Sequence, residues 1–249
     1  MSTFPFGLQL YTVRDHLEKD VQGTLRRVKD AGYDYVELAG IGLHGPREYN
    51  AMLNDAGLKA VSSHFPYEDI VKNTAATIET TQALGLQYAV VPWLGGELCP
   101  DRDAWIACAR AMDEAGAKFR AADIRLCYHN HAHEFERLGG QYIFDLIYES
   151  SAAHHLGLEL DSYWVQYGGA DPVEKLNQYK GRCPLLHVKD MSADASRTFT
   201  EVGRGIMDWA AILPAAAKAG VQWFIVEQDI CAGDSLESAR ISAEYMRKL

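Results

Sequence analysis

The ten residues "AGYDYVELAG", 31–40, contain the pattern that decides the fold. Ala31-Gly32 closes a segment of helical character, a short apolar run follows, and a carboxylate, Glu37, stands near the end of that run. A glycine at a helix terminus supplies the left-handed conformation that turns the chain toward a strand. The same order recurs along the sequence. Eight apolar runs appear: "FGLQLYT", "YDYVELAG", "LKAVSSH", "LQYAVVPW", "IRLCYHNH", "LGLELDSYW", "PLLHVKD" and "QWFIVEQD". Each is short and rich in Val, Ile, Leu and Tyr, as in a strand buried on both faces.

Helical segments separate the runs, at 24–32, 47–57, 73–85, 103–122, 141–150, 172–181, 208–220 and 234–249. Pro214 inside the seventh predicts a late start or a kink there. Eight strand-then-helix units specify an α/β fold, a (β/α)8 TIM barrel, with residues 1–249 as a single domain. The competitor is a doubly wound open sheet. It usually carries a glycine-rich phosphate turn after its first strand, and "LQLYTVRD" has none.

The formal net charge of −10 argues against nucleic acid or an anionic membrane as the main partner, because both demand basic surface. It suits an enzyme for a small molecule. Five cysteines, widely spaced and without a CxxC pair, predict a reduced, cytoplasmic chain. The N-terminus does not read as a signal peptide, and no apolar stretch approaches the roughly 20 residues of a membrane span. No GxGxxG or P-loop is present, so no nucleotide cofactor is expected. Homo-oligomer formation stays open.

Barrel enzymes place their chemistry at the C-terminal ends of the strands. Polar residues collect there: Gln9 and Tyr11, Glu37, His64, Trp93, then His129, Asn130 and His131, Glu159 and Asp161, His187, Lys189 and Asp190, Glu227 and Asp229. Alternate residues of a strand share a face, so His129 with His131, His187 with Lys189, and Glu227 with Asp229 point inward together. Asp161, His187, Glu227 and one group from the fifth strand form a mixed nitrogen and oxygen ligand set. It fits Mn, Co, Zn, Fe or Ni better than Ca, and better than Mg if two imidazoles bind. Duller readings compete: a helix N-cap or surface ion pair for Asp161 and Glu227, a satisfied core histidine for His187, and charge neutralisation for Lys189. His133, Glu134 and Glu136 read as a solvated loop. His154 and His155 read as structural, at the opposite end of the barrel.

The stretches "GLQLYTVRD", "AGYDYVELAG", "SSHFPYED", "YHNHAHEFE", "LELDSYWV", "LLHVKDM", "EVGRGIMDW" and "FIVEQD" together resemble the sugar phosphate isomerase/epimerase family of xylose-isomerase-like metal-dependent barrels. That resemblance implies a divalent metal held by Asp161, His187 and Glu227. Its fourth ligand, a glutamate in many relatives, falls at His129, with Asn130 and His131 as alternatives under a shift of register. It also implies a small-molecule sugar substrate, contacted by Gln9, Glu37, His64, Trp93 and Arg204. The implied activity is isomerisation or epimerisation through enolisation, with Glu227 or His131 as base and Lys189 beside the developing charge. Epimerases of the family use two metal-binding glutamates, and here only Glu227 of that pair remains. The alternative is therefore a lyase or dehydratase that eliminates a β-leaving group from a 3-keto-sugar or 3-keto-glycoside. More remote readings are a non-catalytic sugar-binding barrel and a phosphodiesterase of the endonuclease IV type, which has a histidine where this chain has Trp164.

Overall fold

The structure is a computed structural model that describes residues 4–249. Its eight barrel strands are β1 (Phe6–Gln9), β2 (Tyr35–Leu38), β3 (Lys59–His64), β4 (Tyr88–Val91), β5 (Arg125–His129), β6 (Leu156–Asp161), β7 (Leu185–Val188) and β8 (Trp223–Val226). All pair in parallel in chain order, and β8 closes on β1 with Phe224 opposite Phe6. The expected (β/α)8 barrel is therefore the fold.

The outer helices are α1 (Val21–Ala31), α2 (Pro46–Asp55), α3 (Thr74–Ala83), α4 (Arg102–Ala121), α5 (Ile143–Glu149), α6 (Pro172–Gln178), α7 (Trp209–Ala219) and α8 (Ser235–Met246). Asp20, Asp101, Asp171, Asp208 and Asp234 cap five of them, each accepting a backbone N–H of the first turn. Gly32 (φ +107°) and Gly220 (φ +94°) end α1 and α7 in the left-handed conformation that the "AG" pairs suggest. Helix α7 begins at Trp209 and contains Pro214, so the proline does not delay its start.

Alternation along the strands separates two apolar layers. Outward residues such as Leu8, Val36, Ala89, Leu126, Leu158, Leu186 and Phe224 join the large core beneath the helices. Inside the barrel, Tyr88, Val90, Cys127 and Leu185 form a small plug with Trp223 packed against it. Polar side chains lie on the same strand faces toward the C-terminal end: Gln9, Glu37, His129, Glu159, Asp161 and His187 are all buried. The chain thus spends its apolar residues on the lower barrel and leaves the upper interior to ionisable groups.

One loop above β7 is organised by a single carboxylate. After β7, Asp190–Met191 pairs with Phe199–Thr200 in a two-stranded hairpin. Asp190 Oδ1 accepts from Met191 N (2.8 Å) and Met207 N (3.1 Å). Its Oδ2 accepts from Gly203 N (2.8 Å), Gly205 N (3.2 Å) and Trp209 Nε1 (2.9 Å). The glycines of "EVGRGIMDW" let the backbone approach: a side chain at Gly205 would run into the Asp190 carboxylate.

Two mutations check this description. Asp190→Ala strands five donors and should lower unfolding free energy by about 3 kcal/mol or more, with Asp190→Asn intermediate, in urea titrations. Gly116→Ala in α4 would gain about 1 kcal/mol of helix propensity at an open site. Here its methyl would overlap the His155 carbonyl, and overpacking of about 1–3 kcal/mol should win. A stabilised Gly116→Ala protein would contradict that packing.

Candidate active site

At the mouth of the barrel, β5, β6, β7 and β8 bring His129, Asp161, His187 and Glu227 together, one donor atom from each lying within 4.8 Å of the others. His129 Nε2 is 3.2 Å from Asp161 Oδ2, and His187 Nδ1 is 2.8 Å from Glu227 Oε2. All four side chains are buried. Asp161 serves two structures at once. Its Oδ1 accepts from Trp164 N (2.9 Å) and caps the short helix Ser162–Tyr167, while Oδ2 faces the cluster. The N-cap contact and the contact to His129 use different oxygens. Asn130 points away from the cluster: it holds the Asp161 backbone, accepting from Asp161 N (3.0 Å) and donating to Asp161 O (3.4 Å).

Lys189 shows what the cluster attracts. Its ammonium is buried and lies 2.9 Å from Asp161 Oδ2, 2.7 Å from Glu227 Oε2 and 2.8 Å from Asp229 Oδ1. Two of these oxygens are the ones that face His129 and His187. Two carboxylate oxygens and two imidazoles converging on one cationic position fit a divalent transition metal. Burial disfavours ionisation of Asp161 and Glu227, but Lys189 and the neighbouring imidazoles outweigh it and hold both carboxyls well below the usual range. The site is anionic by construction.

Beneath it lies a second layer. Glu37 Oε1 accepts from Gln9 Nε2 (2.7 Å) and from His187 Nε2 (2.7 Å). His64 Nε2 lies 3.1 Å from Glu37 Oε1 and 3.0 Å from Glu159 Oε2. Burial opposes the charged ring of His64, yet Glu37 and Glu159 outweigh it and raise its pKa to about 10. Gln9, Glu37 and Glu159 are fully buried. Gln9 and Glu37, expected at the substrate, are absent from the cavity lining; Gln9 donates to Glu37, and Glu37 meets His187. Glu37, His64, Glu159 and His187 also meet the geometric requirement for a cation. A neutral imidazole has one lone pair, so His187 can serve the upper cluster through Nδ1 or this one through Nε2, not both.

The β5 loop departs from the solvated reading. Glu134 is fully buried: it accepts from Tyr128 Oη (2.5 Å) and from His131 N (2.8 Å). His133 donates to Leu94 O (2.7 Å). His131 thereby faces the cavity, its ring 4.9 Å from that of His129 and 5.5 Å from that of Trp164, with Nδ1 buried and unpaired. Burial, then the His129 and Lys189 charges, push its pKa down to about 2, so its ring is neutral.

A cavity of about 670 Å³ opens above the cluster, lined by Tyr11, Arg14, Ala39, His64, Pro92, Trp93, His129, His131, Trp164, Lys189, Phe199, Glu227, Asp229 and Ile230. His64 and Trp93, expected at the substrate, are among its lining residues. Arg204 is not. It is 58% exposed and turned toward Glu201 (3.7 Å), because the backbone around it is tied to Asp190. Arg14 and Phe199 belong to the cavity but stand outside the strand ends, where strand periodicity gives no signal.

Residues 25–249 match the family model for the xylose isomerase-like TIM barrel. The inosose dehydratase of Geobacillus kaustophilus is 24% identical, over 94% of this chain and 88% of that protein. A sugar phosphate isomerase/epimerase from Parabacteroides distasonis superposes with a TM-score of 0.85 at 27% identity, covering 98% of this chain and 94% of the other. A structure described as the IolI protein with a bound zinc atom aligns with a TM-score of 0.75 at 17% identity, over 100% and 98% of the two chains. The chain therefore belongs to the xylose isomerase-like TIM barrel family.

Proposed function

We propose that the protein is a divalent-metal-dependent lyase that eliminates a β-leaving group from a keto-polyol or keto-sugar. The observation that carries this reading is the donor set. Its fifth-strand member is His129, so Glu227 has no glutamate opposite it to form an acid–base pair across the substrate. Inosose dehydratases recur among the curated relatives and support the same class. The ligands would be His129, Asp161, His187 and Glu227, with Mn, Co, Zn, Fe or Ni as the ion; two carboxylates leave a divalent centre neutral. Bound there, the ion would supply Lewis acidity to a substrate carbonyl.

The remaining chemistry belongs to side chains of the cavity. The general base is Glu227, which is ionised beside Lys189, or His131, whose buried Nδ1 has no hydrogen-bond partner. It takes the proton α to the carbonyl, and the C–H electron pair becomes the new C=C bond. The β C–O bond breaks, and the proton held by the base passes to the leaving oxygen, which departs as water or an alcohol. Lys189 stays charged, because its three carboxylate neighbours outweigh the cost of burying it, and it stabilises developing negative charge. Glu37 accepts the Nε2 proton of His187 and so presents Nδ1 to the metal. A second reading, isomerisation or epimerisation through the same proton abstraction, is favoured by the Parabacteroides structure described above.

Treatment with a chelator should abolish activity, and Mn²⁺, Co²⁺ or Zn²⁺ should restore it. Incubation of inosose and 3-keto-glycosides in deuterated water separates the two readings. Loss of the leaving group is expected, whereas deuterium uptake without loss of the leaving group would make the protein an epimerase. Glu37→Ala should weaken Co²⁺ affinity about 10- to 100-fold by calorimetry, while Glu37→Gln, which retains a carbonyl acceptor, should lose less. A protein that binds two equivalents of Co²⁺ would contradict the single centre.

A further inference from the structure

The catalytic cavity does not end at Trp93. Pro92 and Trp93 are shared with a second hollow of about 630 Å³, whose other walls are Pro66, Tyr67, Glu68, Leu94, Glu97 and Leu98. The indole between the two hollows is 54% exposed, yet it is held in place. It packs against Gly95, where any side chain would collide with it, and its ring centroid is 5.9 Å from that of His133. His133 is in turn fixed on the Leu94 carbonyl. Leu98, 45% exposed, adds an apolar surface on the far side. An ordered, half-exposed aromatic plate with a leucine near it, shared as a wall with the reaction cavity, offers a flat apolar face on which a ring could stack.

Charge narrows what can lie there. The second hollow is walled by Glu68 and Glu97 and by no lysine, arginine or histidine. In the central cavity Lys189 is shared among three carboxylates. Arg14 donates to Tyr11 O (2.8 Å) and Asp229 O (2.9 Å). A phosphate would meet acidic walls and cations already engaged.

We propose that the hollow beyond Trp93 is a leaving-group subsite for a neutral ring, so that the substrate is an unphosphorylated keto-glycoside whose sugar or aromatic aglycone stacks on Trp93 and reaches Leu98. The proposal rests on the lyase reading for the reaction and on the cavity alone for binding. In that reaction the α C–H and glycosidic C–O bonds break, a C=C bond forms between the two carbons, and the proton taken by the base passes to the glycosidic oxygen, so the ring leaves as a neutral alcohol.

The test uses the metal-loaded full chain, the inert probe phenyl β-glucoside, and two reactive substrates: inosose and a phenyl 3-keto-glucoside. The probe should bind the wild type at least about 10-fold more tightly than glucose 6-phosphate does. Leu98→Asp, at an exposed position outside the reaction cavity, should abolish that preference. The same variant should lower kcat/KM for the keto-glycoside about 10-fold or more and leave inosose turnover unchanged. Equal binding of the two sugars by the wild type, or a Leu98→Asp protein that keeps the preference, would overturn the subsite. Probe binding that is lost in Leu98→Asp, together with no elimination from either substrate, would uphold the subsite and remove the lyase.

Discussion

Four carboxylates, those of Glu37, Glu159, Asp161 and Glu227, are withdrawn from bulk water at the upper end of one barrel. Isolated burial of even one would cost several kcal/mol, so this concentration needs compensation. Lys189 and His64 supply part of it, each held in its charged form against burial by its anionic neighbours, and His187 adds hydrogen bonds to Glu37 and Glu227. The structure around the site follows from that balance. The strands set the height of each group, the capped loops fix the β5 and β7 turns, and the apolar plug below keeps water from entering through the floor. A second positive charge offered at the mouth competes with Lys189 for oxygens already aligned.

Much of this was legible in the sequence, because two periodicities dominate it. Strand runs ended by glycine-capped helices determine the barrel, and alternation within each run determines which side chains face inward. Alternation does not give depth. Gln9 and Glu37 pair at one level of the sheet, but whether that level is floor or cavity depends on strand tilt and stagger around the closed barrel, which no single run encodes. Glu134 was misread for a related reason. Its partner, Tyr128 Oη, sits on the outward face of β5 and the chain folds back to meet it, a contact invisible to composition. Arg204 was drawn inward by its motif, whereas the glycines on either side exist to bring backbone N–H groups to Asp190.

The family scaffold and the chemistry performed on it are separable. The barrel is shared with the family. In this chain the cluster carries an imidazole on β5 and, beside it, His131, whose backbone N–H is held by Glu134. A histidine in place of a carboxylate removes one negative charge and one proton acceptor together. The effects are linked: on the proposed reading, a bound ion there would be the stronger electrophile and proton exchange between two carboxylates would be lost.

Asp161 divides its two oxygens between a helix terminus and the cluster. A carboxylate bound at both ends has no alternative rotamer to visit, so it arrives at the ligand already immobilised. The arrangement also restricts evolutionary drift. Glutamate would overshoot the cap, and asparagine would keep only one of the two roles, so this position has little freedom to change. His129 has no such second duty to a helix: its ring hydrogen-bonds only with the Pro92 carbonyl and Asp161 among the described residues, so a change there would leave the frame in place.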